Sequence, residues 1–436
     1  MKRDLRVALL NAFDERGGAA RAALRLHRGL RAQGIDSRLL VQRRFGHEPG
    51  VEGPHGGVAG ALAWMRPRLE SIPVRFYPRR GQALFSGSFL PDGLRSRLAA
   101  VAPDVLHVHW VGFGFLRPET LAAIARPTLW TLHDSWAFTG GCHLPGTCVR
   151  YRDSCGACPA LGSRAEIDLS RRVFERKRRA WRGRAFTVVS PSRWLAEAAR
   201  SSALFHDSEI VVVPNGVDLE TFRPIDRDDA RRRIGLDTDR FVILFSALEG
   251  LGDENKGYAS LQEALARLAA QGLADRLLLL VIGLDAPRNP PRSAVPIRFV
   301  GRLDGEAELA LHFAAADALA LPSRQENQPN LVVEAMACGR PAVAFRTTGL
   351  PELIVHGDTG YLAEPFRADD LAAGIAWLAE RPDRAQELGR RARTRAESMY
   401  GVDRMVRDYA ALYEEALGAS AAPSRGATIR ERAPGK

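Results

Sequence analysis

Along the first half of the chain, short apolar runs alternate with longer stretches whose apolar positions recur every three or four residues. Leu5 to Leu10 reads as a strand, with Val7 to Leu10 buried, and Ala19 to Gln33 as a helix with Leu24, Leu26 and Leu30 among its apolar positions. Gly34 stands where a helix C-terminal glycine belongs. Further strands are predicted at Arg38 to Gln42, Val105 to Val111, Thr128 to Leu132 and Ala185 to Val189. These runs are rich in β-branched residues and almost continuously apolar, as strands buried on both faces of a parallel sheet must be.

The pattern restarts after Val211-Val212-Val213-Pro214-Asn215-Gly216-Val217-Asp218. The second set of strands is Phe241 to Ala247, Leu277 to Gly283, Ile297 to Gly301, Ala318 to Leu321 and Ala342 to Phe345. Helical stretches separate them, including Tyr258 to Gln271 and Glu306 to Ala315. Strand–helix alternation in both halves predicts an α/β protein of two doubly wound domains, with the Pro-Asn-Gly turn as hinge. The expected boundaries are 1–213 and 214–400, followed by a helical segment 401–418. The stretch 419–436, rich in Ala, Pro, Ser, Gly and Arg, is expected to be a disordered tail. Ligands of such folds bind beyond the carboxyl ends of the strands, here expected in the cleft between domains.

Composition narrows this only slightly. At 436 residues the chain is too long for one core, and 46% hydrophobic with 26% charged residues is the balance of an ordinary soluble protein. No run of about 18 apolar residues occurs, and the start lacks the features of a secretory signal, so a cytoplasmic protein is expected. A net charge of +11 suggests nucleic acid, but 51 acidic residues are interspersed with 62 basic ones and no nucleic-acid motif accompanies them. No nucleic-acid partner is expected. The lysines are only Lys2, Lys177, Lys256 and Lys436, so the arginine enrichment reads as a genome-wide bias.

The chemistry gathers in the second half. A strand ends at Pro322-Ser323, a loop carries Glu326 and Asn327, and Pro329 is placed at the first position of a helix bearing Asn330, Leu331 and Glu334. Gly339 and Pro341 stop that helix just after Cys338, which reads as a small buried residue. The helix amino terminus would offer backbone N–H groups to a diphosphate. One carboxylate, Glu326, could then reach sugar hydroxyls, while Glu334 accepts from ribose hydroxyls. Taken without their setting, the two are equally a surface glutamate and a helix-face glutamate.

This segment resembles the donor-site signature of the retaining glycosyltransferases of family 4, and the resemblance extends over roughly residues 5 to 417. It implies the GT-B fold: two Rossmann-like doubly wound domains facing a central cleft, with the helix near Val402 to Leu417 crossing back to the first domain. Gly17-Gly18-Ala19 resembles the family's glycine-rich loop, which lies against the donor diphosphate and the acceptor. Pro214-Asn215-Gly216-Val217-Asp218, with Phe222 and Pro224, is similar to its interdomain linker. Gly349, Pro351-Glu352 and Gly357-x-x-Gly360 resemble its later loop. Ser246 lies near the end of the first strand of the second domain, on the donor side, and Lys256 follows that strand. The family uses a lysine there to neutralise the donor phosphates, since a departing nucleotide diphosphate develops negative charge. It often adds an arginine a few residues earlier, but here none lies between Phe245 and Lys256.

His133 and Asp134 end a first-domain strand, and the resemblance gives His133 contact with the donor sugar. Asp134 would orient it or meet the acceptor. His107 and His109 alternate on the preceding strand, one of them facing the sheet interior, and structural roles are expected of both. The implied reaction is transfer with retention, resting on orientation and phosphate stabilisation, with no protein nucleophile and no cofactor required. The implied partners are a UDP- or GDP-sugar and a saccharide or lipid-linked acceptor.

Four of the five cysteines, Cys142, Cys148, Cys155 and Cys158, lie close together in sequence. The Cys-x-x-Cys half suits a tetrahedral metal site. A comparable stretch occurs in family members that build bacterial exopolysaccharides, similar to colanic-acid transferases. A structural zinc and a set of buried or paired cysteines both remain open. The basic helix Ser170 to Trp181 reads first as a solvated helix face, the other reading being a peripheral contact with anionic lipid at the inner face of the membrane. The alternative for the whole chain is a catalytically silent GT-B scaffold that binds a sugar nucleotide or a partner protein. A dinucleotide oxidoreductase fits less well, because neither half carries Gly-x-Gly-x-x-Gly after its first strand with an acid about 20 residues on.

Overall fold

The computed structural model describes residues 5–54, 56–82, 84–248, 250–303, 305–419 and 428–431. Two compact units divide them: residues 1–216 with 402–436, and residues 217–401. In the first, strands β1 (Arg6–Phe13), β2 (Asp36–Arg43), β3 (Val51–Glu52), β4 (Val105–Val108), β5 (Thr128–Thr131), β6 (Thr187–Ser190) and β7 (Ile210–Val212) are all parallel. In the second, β8 (Phe241–Ser246), β9 (Leu277–Ile282), β10 (Ile297–Gly301), β11 (Ala318–Leu321), β12 (Ala342–Phe345) and β13 (Gly360–Ala363) form another parallel sheet. The last strand, β14 (Ile429–Glu431), joins the first sheet beside β7.

Period-two alternation sends neighbouring residues of one strand into different cores. Val7 and Leu9 of β1 enter one cluster while Ala8 and Leu10 enter another. In β8, Val242 and Leu244 face one side and Phe241, Ile243 and Phe245 the other. Each sheet is therefore buried on both faces, which explains the near-continuous apolar runs. The helix Val402–Ala419 covers one face of the first sheet with Met405, Val406, Tyr409, Leu412 and Tyr413. Its tyrosines are tied down inside: Tyr413 Oη lies 2.7 Å from His107 Nδ1 and Tyr409 Oη 2.8 Å from Thr131 Oγ1.

One expectation needs correction, and another is sharpened. The stretch 419–436 is not wholly without structure, because residues 429–431 pair in parallel with β7 and Ile429 packs against the first core. Arg430 bridges Glu209 and Glu415 at 2.9 Å each, and Arg193 meets Glu431. The remainder of that stretch beyond Ala419 lies outside the described residues. The basic helix, observed as Leu169–Trp181, turns Val173, Phe174, Lys177 and Trp181 into the first unit. Its apolar face is consumed by the core, and Arg176 is held by Glu119 at 2.6 Å. Among the described residues no helix is long and apolar enough to cross a membrane.

The second sheet runs β10-β9-β8-β11-β12-β13, so the strand order reverses between β8 and β11. The first runs β3-β2-β1-β4-β5-β6-β7-β14, reversing between β1 and β4. Crevices outside the carboxyl ends at these reversals are where doubly wound sheets bind ligands.

Candidate donor and acceptor sites

The second unit brings together residues from three loops at its reversal point. Lys256, after β8, donates from Nζ to Glu326 Oε1 at 2.7 Å, after β11. Neither side chain is fully withdrawn from solvent (27% and 13% exposed), so both charges remain available at the strand ends. The lysine loop sits directly on β11's end. Gly257 has φ +70°, and a Cβ there would overlap the carbonyl oxygen of Pro322. Asn255 locks the same approach: its Nδ2 donates to Gln325 O and its Oδ1 accepts from Gln325 N–H, both at 3.0 Å.

Glu326 is held by its own peptide. Its N–H donates to Thr348 Oγ1 at 2.9 Å, and its carbonyl accepts from the Thr348 hydroxyl at 2.6 Å and from Gly349 N–H at 3.0 Å. Thr348 adopts φ +48°, a left-handed conformation that costs a β-branched residue on the order of 1–3 kcal/mol. Gly349 must lack a side chain because a Cβ would overlap Asn327 O. Strain and close approach together fix where the Glu326 carboxylate emerges.

The helix Asn330–Ala337 begins one residue later than expected. Pro329 is its N-cap (φ −68°, ψ 121°) rather than its first residue, and no side chain caps it. Proline has neither N–H nor a side-chain acceptor, so the helix amino terminus keeps its anion-attracting character. Asn330 is buried and Glu334, one turn later, is fully buried at 0% exposure. Leu331 and Asn327 are half-buried, and Ser246 sits half-buried at the end of β8. Ser323 Oγ is buried at the end of β11 without a hydrogen-bond partner.

The first unit gathers a different set. His109 Nδ1 lies 3.0 Å from His133 Nε2, and the rings of His107 and His109 are 4.1 Å apart. His107 of β4 and His109, just past its end, therefore share one side, as residues two apart on an extended chain must, and both are buried. Burial holds all three imidazoles neutral, with His107 pushed down to about 3 and His133 to about 4. His109 lies well below its usual value, from burial and then from its histidine neighbours. His109 Nε2 is buried with no partner and lines a small pocket with Trp110, Gly112, His133, Asp134 and His143.

Asp134 is already engaged. Its Oδ2 accepts from Trp110 Nε1 at 2.5 Å and pairs with His143 Nδ1 at 2.6 Å, while Oδ1 accepts from Trp136 N–H at 2.8 Å. Burial raises its carboxyl pKa, but His143 and these donors outweigh it and bring the pKa below its usual value. His143, which the sequence reading passed over, completes the link by meeting Ser86 Oγ at 2.9 Å. Gly17 precedes the first helix at φ +92° and Gly18 opens that helix, with no side-chain cap. Gly17 faces open space.

The cysteines are all free. Burial pushes the Cys155 thiol up to about 12 and raises Cys142 and Cys158 as well, while Cys155 Sγ accepts from Gly140 N–H at 3.2 Å. Among the described residues no three Cys, His, Asp or Glu side chains are arranged to hold a metal ion. Lys177 is buried next to the cysteines, donating to the carbonyls of Trp136 and Thr139, with its ammonium 3.7 Å from the Trp136 ring centre.

Residues 16–221 match the family model described as Glycosyltransferase Family 4, and residues 226–395 the model described as Glycosyl transferases group 1. The chain is a family 4-like member of the GT-B glycosyltransferases. A D-inositol 3-phosphate glycosyltransferase of Geodermatophilus obscurus is 36% identical over 50% of this chain and 51% of its own length. The match thus spans about half the length of that relative. One of the same name from Pseudarthrobacter chlorophenolicus is 27% identical over 84% of this chain and 82% of its own. Among solved structures, sucrose-phosphate synthase from Thermosynechococcus elongatus superposes with a TM-score of 0.70 at 20% identity, covering 95% of this chain and 100% of that one. Anabaena HepE in complex with UDP-glucose superposes at 0.60 with 18% identity, covering 94% and 100%. At such identities these two speak for the fold.

Proposed function

We propose that the chain transfers a sugar from a UDP- or GDP-sugar, with retention at the anomeric carbon, to a saccharide or lipid-linked acceptor in cell-surface polysaccharide assembly. The observation that carries this reading is the Lys256–Glu326 pair, 2.7 Å apart at the strand reversal and fixed by backbone contacts. In this reading an incoming diphosphate draws Lys256 away from Glu326 and settles against the amino terminus of the 330–337 helix, with Ser246 lining the donor. Glu326 is then free to accept from hydroxyls of the transferred sugar, and Glu334 takes the ribose hydroxyls, with Asn327, Asn330 and Leu331 shaping the pocket.

His133, neutral at physiological pH, serves as a hydrogen-bonding group to the donor sugar instead of a standing cation. Asp134 acts through the loop it anchors. The rate then comes from orientation and from a fixed cation facing the charge that develops on the leaving phosphate. The family names of the relatives and the UDP-glucose held by HepE support a nucleotide-sugar donor.

A panel of UDP- and GDP-sugars should reveal one donor that is slowly hydrolysed, or transferred when an acceptor is added. No turnover with any donor, together with tight binding of one, favours the silent scaffold. That second reading draws on the absence of an arginine between Phe245 and Lys256, which leaves the phosphate side with Lys256 in a region where family members often have two cations.

A further inference from the structure

Four aromatic side chains collect past the carboxyl ends of β1, β2 and β4, at the strand reversal of the first sheet. Phe13 closes β1, Phe45 lies two residues beyond β2, and Trp110 and Phe113 follow β4. The ring centre of Phe13 is 5.8 Å from that of Phe45, 5.8 Å from that of Phe113 and 6.2 Å from that of Trp110. Trp110 and Phe113 meet edge to face at 5.0 Å. All four are half-buried. Phe13 and Trp110 rest on the first core, whereas Phe45 and Phe113 join no core cluster among the described residues.

The outer rings are set in place by polar side chains acting on their backbone. Asp14 accepts from the N–H groups of Phe45 and Gly46, at 2.8 Å each. Asn11 Oδ1 accepts from Trp110 N–H at 2.9 Å. Gln42 Nε2 donates to Phe113 O at 3.1 Å, and Ser86 Oγ accepts from Phe113 N–H at 3.3 Å. Phe113 is thereby kept at φ +58°, a left-handed conformation that a bulky residue seldom adopts. Strain of this kind persists only where surrounding contacts impose it, and it gathers at ligand sites.

Two guanidiniums stack on one of these rings. Arg16 lies 3.9 Å and Arg43 4.6 Å from the ring centre of Phe45. A guanidinium stacked on a ring keeps its N–H fork in its own plane, where it suits a carboxylate or phosphate. Among the described residues Arg43 forms no ion pair. Over residues 13–18 and 42–46 three arginines face two acids, and one of those, Asp14, spends its oxygens on backbone N–H groups.

We propose that this platform receives the acceptor as an acidic saccharide, a pyranose ring carrying a carboxylate or phosphate. The ring's C–H face lies on Phe45 and Phe113, and its anionic group meets Arg43 and Arg16. Aromatic faces are electron-rich and attract the weakly positive C–H groups of a sugar. Trp110 ties the platform to the His133 pocket by donating to Asp134, which puts the saccharide beside the residues assigned to the transferred sugar. The role of acceptor rests on the transferase reading, while binding of the saccharide does not.

The test is a titration of the full chain, without donor, by glucose, glucuronic acid and glucose 6-phosphate, followed by NMR of the sugars. At least one acid should bind at least about tenfold tighter than glucose. Preference for glucuronic acid assigns a carboxylate-bearing acceptor, and preference for glucose 6-phosphate a phosphate-bearing one. Arg43→Gln should bring the preferred acid down to the level of glucose and leave glucose unchanged. Arg43→Lys, which keeps the charge and loses the fork, should fall between. Phe45→Leu should weaken acid and neutral sugar alike by about fivefold. If that variant also melts lower, the two Arg43 variants decide alone. Equal binding of all three sugars overturns the proposal, as does an acid preference that survives Arg43→Gln. Turnover of a donor by a chain that binds neither acid sinks this inference and leaves the transferase reading standing. Acid binding with no donor turned over does the reverse.

Discussion

Lys256 and Glu326 meet at the rim of the second sheet with both side chains in reach of solvent, each carried by a loop that backbone contacts hold in place. In the first unit, His107, His109 and His133 lie where burial keeps them neutral, and Asp134 keeps its charge only by taking three donors. The same strand-end position in two similar sheets thus yields two chemistries. One keeps a partly exposed ion pair at its rim. The other gathers neutral imidazoles and aromatic rings around a carboxylate whose charge is already taken up by its donors.

The contrast is broken most severely by Glu326→Ala. Steady-state donor turnover should fall at least about a thousandfold, and Lys256→Ala should cost about a hundredfold or more in kcat. Unchanged turnover in Glu326→Ala would refute the assignment.

Next in size is a pH effect confined to the histidine side. The unfolded chain takes up protons on these imidazoles below about pH 6.5, while the folded chain resists until about 4 for His133 and about 3 for His107. Stability is therefore full above pH 6.5 and lost as pH falls, by about 1.4 kcal/mol per pH unit for each such histidine. Denaturant titrations across that range check the slope, and His107→Gln should remove one histidine's share.

Asp134→Asn should cost about 1–3 kcal/mol, because an amide turns a donor toward donors already present. Urea unfolding measures it, and a neutral result would show that the link to His143 is not structural. Gly257→Ala should cost about 1–2 kcal/mol of backbone strain and raise the donor KM, since the lysine loop must lift off Pro322. The smallest effect concerns the thiols. Cys148, for which burial is partial, should react first with a thiol reagent, and Cys142 and Cys158 should react at least about tenfold more slowly. Stoichiometric zinc released during that reaction would replace the free-thiol description.

Long apolar strands such as β8 and β9 were legible because burial on both faces leaves little room for polar residues. β3, β7, β13 and β14 were not, being two to four residues long and identified by their neighbours more than by their own composition. Lys256 and Glu326, seventy residues apart, were visible through the residues around them. Thr348 and Asn255 were hidden because they act on backbone groups, which any sequence supplies. In the Ser170 to Trp181 segment Arg172, Arg178 and Arg179 are exposed, but Lys177 sits on the same helix face as the buried Val173, Phe174 and Trp181. Its amino group is received by backbone carbonyls and an indole ring, partners that helical spacing does not reveal.

The three-residue strand β14 has a practical consequence. It occupies the open border of β7, whose backbone groups would otherwise be exposed for pairing with any passing chain. The ion pairs of Arg430 and Glu431 are exposed and contribute little, so this cover is lightly held. A shortened version ending at the 402–419 helix would uncover that border and should form oligomers or precipitate on storage. An affinity tag placed at the amino terminus leaves this seal undisturbed.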